Sequence, residues 1–140
     1  MFEDNGGSDN TITSRGPSYD GEYTLRIRDN SGTSWAATSP IDVSSYSSLE
    51  LGFYFLTRNV VSGQYFVVSY STNKGALWGE LEVFQFGEGI WTENNLWVSA
   101  SVPAVNVQGA NEIQFRLQTA FASNTQRLHV DEIVLKGLAA

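Results

Sequence analysis

YFVVSYSTNKGALWGELEVF, running from Tyr65 to Phe84, decides the fold. Two runs rich in β-branched and aromatic residues flank Thr72-Asn73-Lys74-Gly75, whose Asn and Gly tolerate positive φ. That pattern predicts a β-hairpin. The same grammar of short strands and Gly, Asn and Ser punctuation continues in both directions. From Glu22 to Arg28, Tyr23, Leu25 and Ile27 alternate with Thr24, Arg26 and Arg28. Period-two alternation buries one face of a strand and wets the other. Asp29-Asn30-Ser31-Gly32 closes this strand with turn formers. A short strand over Trp35 to Thr38 precedes Pro40.

Ser48 to Thr57 follows, with Leu49, Leu51, Phe53 and Phe55 on one face and Glu50, Gly52, Tyr54 and Leu56 on the other. Further strands are expected over Asn95 to Val102, Glu112 to Thr119 and Arg127 to Lys136. In the Glu112 strand, Ile113, Phe115 and Leu117 point inward and Gln114, Arg116 and Gln118 outward. The opening, Glu3 to Gly16, reads as an acidic loop. Nowhere does a helical period persist beyond a turn or two. About seven to nine strands at this spacing predict an all-β fold, an antiparallel β-sandwich of jelly-roll type with two packed sheets and no significant helix.

The 140 residues suit a single module over 1–140, large enough to bury a core without staples. Cysteine is absent, which removes disulfides and thiolate metal sites. Fifteen acids against eight bases give a formal charge of −7, without any basic run. A phosphate backbone would be repelled over most of such a surface, so nucleic acid is not an expected partner. No apolar run approaches the roughly 18 residues that suggest a membrane span. Phe2-Glu3-Asp4 directly after Met1 leaves no basic or apolar leader region, and the segment is expected to be cut from a larger secreted protein.

Catalysis finds little material. His129 is the one histidine, two residues from Asp131 and on the same strand face if no bulge intervenes, and no particular hydroxyl is marked as a nucleophile. Glycoside hydrolysis needs two carboxylates roughly 5–5.5 Å or 6.5–9.5 Å apart across the scissile bond. Glu80 and Glu82 lie about 6.5–7 Å apart along one strand. They stand beside each other rather than flanking a substrate, and Glu-x-Glu on a wet strand face is ordinary. Gly87-Glu88-Gly89 opens no helix and cradles no phosphate. The chain is expected not to be an enzyme.

Several features in order form a resemblance. Phe2-Glu3-Asp4 opens the chain, Ser39-Pro40-Ile41-Asp42 precedes LELGFYF, and the hairpin leads to Gly89-Ile90-Trp91. IQFRL is then followed by His129-Val130-Asp131-Glu132-Ile133-Val134-Leu135. This order resembles MAM domains and their bacterial relatives, jelly-roll accessory modules of secreted hydrolases, many of which bind carbohydrate. Animal MAM domains carry cysteine pairs, so the cysteine-free chain is more similar to the bacterial type. The resemblance implies a secreted or cell-surface module joined to a catalytic domain. It also implies a structural calcium where the first and last strands meet, held by Glu3 and Asp131, with Trp78 and Trp91 buried. Asp29 is a reasonable third ligand, and Asp4 and Asp9 are weaker ones, since calcium takes six to eight oxygens. The bland alternative is a solvated acidic end.

A sugar site needs a flat aromatic and hydrogen-bonding side chains. If the strands neighbour one another as in a jelly roll, Tyr54 and Tyr65 join Gln114, Arg116 and Gln118 in a shallow outward surface. Arg116 could fork hydrogen bonds to vicinal hydroxyls or to an acidic sugar. Tyr, Gln and Arg also sit on wet sheet faces with no ligand. A rival site is a loop rim of Trp35, Trp91 and Trp97. The expected function is that of a non-catalytic carbohydrate-binding module, with calcium, that carries a partner enzyme or cell surface to a polysaccharide. The alternatives are a MAM-like protein-interaction module and a structural spacer.

Overall fold

In the computed structural model the described residues are 2–4, 10–13, 24–28, 34–123 and 125–139, with side chains described for 25–27, 34–123 and 125–139. They form twelve strands and no helix. In chain order these are β1 (Phe2–Asp4), β2 (Asn10–Thr13), β3 (Thr24–Arg28), β4 (Ser34–Thr38), β5 (Ile41–Asp42) and β6 (Tyr46–Arg58). Then come β7 (Tyr65–Ser71), β8 (Gly79–Gln85), β9 (Val98–Ser101), β10 (Val105–Asn106), β11 (Glu112–Ala120) and β12 (Arg127–Ala139).

Two six-stranded antiparallel sheets result. The front sheet runs β1-β4-β11-β7-β8 with β5 added against β11, and the back sheet runs β10-β6-β12-β3-β2 with β9 added against β6. The chain is the two-layered sandwich that its alternation predicts. The acidic opening is not loop throughout, because β1 and β2 fall inside it and pair with β4 and β3.

Burial follows the alternating pattern. Phe53 and Phe55 enter the core from the back sheet, and Phe66 and Phe84 from the front. Phe55 meets Phe66 edge-on at 5.0 Å between ring centroids, while Phe66 stacks on its cross-strand partner Phe84 at 5.0 Å. Each such pair adds roughly 0.5–1.5 kcal/mol beyond its buried area. Trp91 closes one end of this cluster at 1% exposure, perpendicular to Phe55 at 5.6 Å. Its indole N–H donates to Thr57 Oγ1 at 2.9 Å, and Thr57 Oγ1 donates to Asn94 Oδ1 at 3.0 Å. Trp91 is therefore core and is withdrawn from the expected loop rim.

The expected strand over Asn95 to Val102 is shorter. Asn95 takes φ 62° and donates its N–H to Thr57 O at 2.8 Å, so extended backbone begins only at Val98. β12 carries a bulge between Asp131 and Val134, with Glu132 at φ 51°. Another bulge lies between Val68 and Ser69 on the β7–β8 pair. It sets Glu82 opposite inward Val68 and Glu80 opposite outward Ser69, so the two glutamates do not share the wet face expected of them.

Candidate functional site

β6 and β7 follow each other in sequence but belong to different sheets. This overturns the expected meeting of Tyr54 with Tyr65. Tyr54 lies on the outer face of the back sheet, level with Asp131 and Ser99, and borders a shallow 270 Å³ cleft with Glu50, Glu132 and Lys136. Trp97, half-buried just before β9, also belongs to the back-sheet side. Neither reaches the face that carries Arg116.

The front sheet's outer face gathers the others. β11 sets Arg116 level with Ala37 of β4 and Ser69 of β7, and Gln118 level with Trp35 and Val67. Tyr65 sits further along the same face, opposite Ala120 and Gln85, and is 41% exposed. Gln114 departs from expectation. Its side chain is 6% exposed and donates from Nε2 to Thr38 O at 2.8 Å, a tie between strands rather than a free amide.

One residue expected in the core stands on this face. Trp78 is half-buried, and the Arg116 guanidinium lies 4.5 Å from its ring centroid. The loop over 72–78 sets it there. Lys74 and Gly75 take φ 60° and 81°. Ser71 Oγ accepts the Gly75 N–H at 3.0 Å and donates to Asn73 Oδ1 at 2.8 Å, and Asn73 Oδ1 accepts the Leu77 N–H at 3.0 Å. The turn thus uses positive φ at Gly75, as expected, and at Lys74 in place of Asn73. Gly79 lets the chain re-enter the sheet, since a Cβ there would stand 2.9 Å from the Tyr70 ring.

Small outward residues neighbour Arg116 across the strands, Ala37 at 2% and Ser69 at 4% exposure, and leave room for the guanidinium to stack on the indole. Burial lowers the Arg116 pKa from its ordinary value. Its Nε is buried and has no hydrogen-bond partner among the described residues. The arrangement offers a planar apolar platform, a fork of N–H donors and the Gln118 amide in neighbouring rows. Trp35, half-buried beside Gln118, extends the aromatic surface. A signal for Trp78 existed in the sequence: a Ser/Asn-braced turn, then Trp before Gly, across from an outward arginine.

At one end of the sandwich, a 790 Å³ cleft is lined by polar residues including Asn73, Lys74, Asn106, Gln108 and Glu112. Lys74 Nζ and Glu112 Oε1 lie 3.8 Å apart there. His129 is 1% exposed, with both ring nitrogens lacking a hydrogen-bond partner among the described residues. Among the described residues no hydroxyl hydrogen-bonds to it. Of the expected calcium ligands, the Glu3 side chain and all of Asp29 lie outside the described residues, as do Asp9 and the Asp4 side chain. β1 is in the front sheet and β12 in the back, so Glu3 and Asp131 are not cross-strand neighbours. Asp131 Oδ1 accepts the Glu132 N–H at 2.8 Å. Among the described residues no three His, Cys, Asp or Glu side chains group to hold an ion.

Solved structures share this architecture. The family 61 carbohydrate-binding module TmCBM61 in complex with β-1,4-galactotriose aligns with 98% of this chain and 87% of its own, at a TM-score of 0.69 and 12% identity. The CBM22-1 xylan-binding domain from Paenibacillus barcinonensis Xyn10C matches at a TM-score of 0.69 and 11% identity, covering 99% of this chain and 86% of that one. The C-terminal family 22 module of Clostridium thermocellum Xyn10B gives 0.66 and 14%, with 99% and 87% coverage. The fold is that of these β-sandwich modules. No protein-family model matches the chain, and no curated protein matches it in sequence.

Proposed function

We propose that this protein is a non-catalytic carbohydrate-binding module whose ligand lies on the outer face of the front sheet. The observation that carries the proposal is the Trp78–Arg116 layer, flanked by Gln118 and Trp35. Sugars present apolar C–H faces edged with hydroxyls, and a flat ring beside fixed N–H donors is complementary to both. The loop bonds at Ser71 and Asn73 hold the platform before ligand arrives, which lowers the ordering cost of binding. Modules of the same fold bind β-1,4-galactotriose or xylan, which makes β-linked plant polysaccharides the first ligands to try. The module would hold a covalently linked catalytic domain or a cell surface against such a polymer, outside the cell.

Pull-down on insoluble galactan and xylan, with free oligosaccharide as competitor, tests this. Retention released by free sugar is expected. Retention on neither polymer, with binding to a protein that survives added sugar, would instead support the MAM-like interaction module suggested by the sequence resemblance. A structural calcium held by Glu3, Asp29 and Asp131 is also proposed, on the resemblance and on the oxygen-rich character of that set. Its role would be stability.

A further inference from the structure

The outer face of the back sheet holds an unusual concentration of positive charge. Register puts Arg28, Arg127 and Arg58 side by side across β3, β12 and β6, with Arg26 two residues from Arg28. Four of the chain's eight basic residues thus share one patch of a protein whose formal charge is −7. Like charges directly opposite one another destabilise a sheet. Arg58 and Arg127 are half-buried, and each has a buried Nε with no hydrogen-bond partner among the described residues. His129 lies between Arg26 and Leu56 in the next row, 1% exposed, and both of its ring nitrogens are likewise unsatisfied.

The frame around this row is fixed. Gln126, next to Arg127, is 6% exposed and donates from Nε2 to Asn59 O at 2.9 Å, beside Arg58. Asn59 Nδ2 donates back to Thr125 O at 2.9 Å, and Gln126 Oε1 accepts the Ala122 N–H at 2.7 Å. The two strand ends that present Arg58 and Arg127 are therefore locked together. Asp131, on the same face two residues beyond His129, bounds the patch on its acidic side.

We infer that this row is a second binding site, separate from the front platform, for an acidic polysaccharide bearing carboxylate or sulfate groups on successive sugars. Arg26, Arg127 and Arg58, on three adjacent strands, extend over about 10 Å, more than a single oxyanion spans. Arginine pairs with planar and tetrahedral oxyanions through two parallel N–H donors, and because Nε is buried in Arg58 and Arg127 the terminal Nη pair is the one offered to a ligand. A polyanion would also relieve the repulsion within the row. The overall negative charge keeps such binding local to this patch.

The test titrates the full chain with oligogalacturonate, with dextran sulfate oligomers and with neutral dextran, followed by calorimetry and by the arginine Nε–Hε NMR signals. Binding of either acidic oligomer but not dextran is expected, weakening as salt is raised. The carboxylate and sulfate arms tell the two anion sources apart. Arg58→Gln and Arg127→Gln should each weaken binding about tenfold, with a melting temperature equal to or above the parent's. Trp78→Ala should leave acidic binding intact, so failure here and failure of the front-face site read out separately. Unchanged affinity in the Arg58→Gln/Arg127→Gln double variant overturns the inference. So does loss that follows Trp78→Ala instead, or binding of a DNA duplex with neither acidic oligomer bound.

Discussion

Replacing Trp78 by alanine separates a surface platform from a core residue. The guanidinium–indole contact at 4.5 Å is partly desolvated, and such a contact contributes about 1 kcal/mol, between the exposed and buried limits. Because Trp78 is half-buried rather than enclosed, little cavity forms when it goes. The unfolding free energy should fall by about 1 kcal/mol, well short of the roughly 3–5 kcal/mol that Trp→Ala costs in a core. A tryptophan that anchors a ligand contributes about 2 kcal/mol or more to binding, so affinity should fall roughly 30-fold. Trp78→Phe keeps a flat ring and should recover part of both. Urea unfolding gives the first number, and affinity electrophoresis on galactan and xylan gives the second. Two results refute the reasoning. One is affinity within twofold of the parent, which removes the front face as the site. The other is a stability loss above about 3 kcal/mol, which would place Trp78 in the core after all.

Thr57→Val conserves shape but strips the acceptor from the buried Trp91 N–H, and urea titration should show a loss of about 1–3 kcal/mol at an unchanged m-value. A gain in stability would mean that bond carries nothing. His129 is held down to about 4, first by burial and then by the charges of Arg58, Arg26 and Arg127. Its folded pKa lies below its unfolded value near 6.5, so the unfolded chain binds the extra proton between those limits. Stability is therefore full above about pH 6.5 and drains as pH falls toward 4, by at most about 3 kcal/mol at 1.36 kcal/mol per unit. The difference between the parent and His129→Leu across this window isolates that share from the carboxylates, and parallel pH curves would contradict it. If calcium clasps Glu3, Asp29 and Asp131, EDTA should lower the melting temperature of the parent and leave Asp131→Asn unmoved. A melting curve indifferent to EDTA removes the metal from the description.

Strand alternation carried most of the architecture. Leu49 to Phe55 and Ile113 to Leu117 bury the faces their period assigns, because a strand with one wet face has no other consistent register. What the period cannot say is which strands share a sheet. Tyr54 and Tyr65 are separated by a crossing from back to front that leaves no local trace, and Tyr54 leaves the expected ligand face with it. Gln114 looked like a free amide because its partner, Thr38 O, is 76 residues away in sequence. Arg116 and Gln118 were legible, being outward residues on a strand with clean alternation. The resemblance implies a buried Trp78, and a short motif does not distinguish a buried ring from one stacked on a guanidinium. The arginine row was hidden for a similar reason: Arg28, Arg58 and Arg127 are dispersed in sequence and meet only through pairing.

The bulge on the β7–β8 pair has a further effect. Among the described residues β8 closes the front sheet at one end of its hydrogen-bonded order, an edge that could recruit a strand from another molecule. The bulge turns one glutamate to each side of that edge, so an incoming strand would meet a carboxylate whichever face it approached. Charge and irregular register together blunt fibril-like stacking. Many copies could then crowd together without gluing themselves into an aggregate.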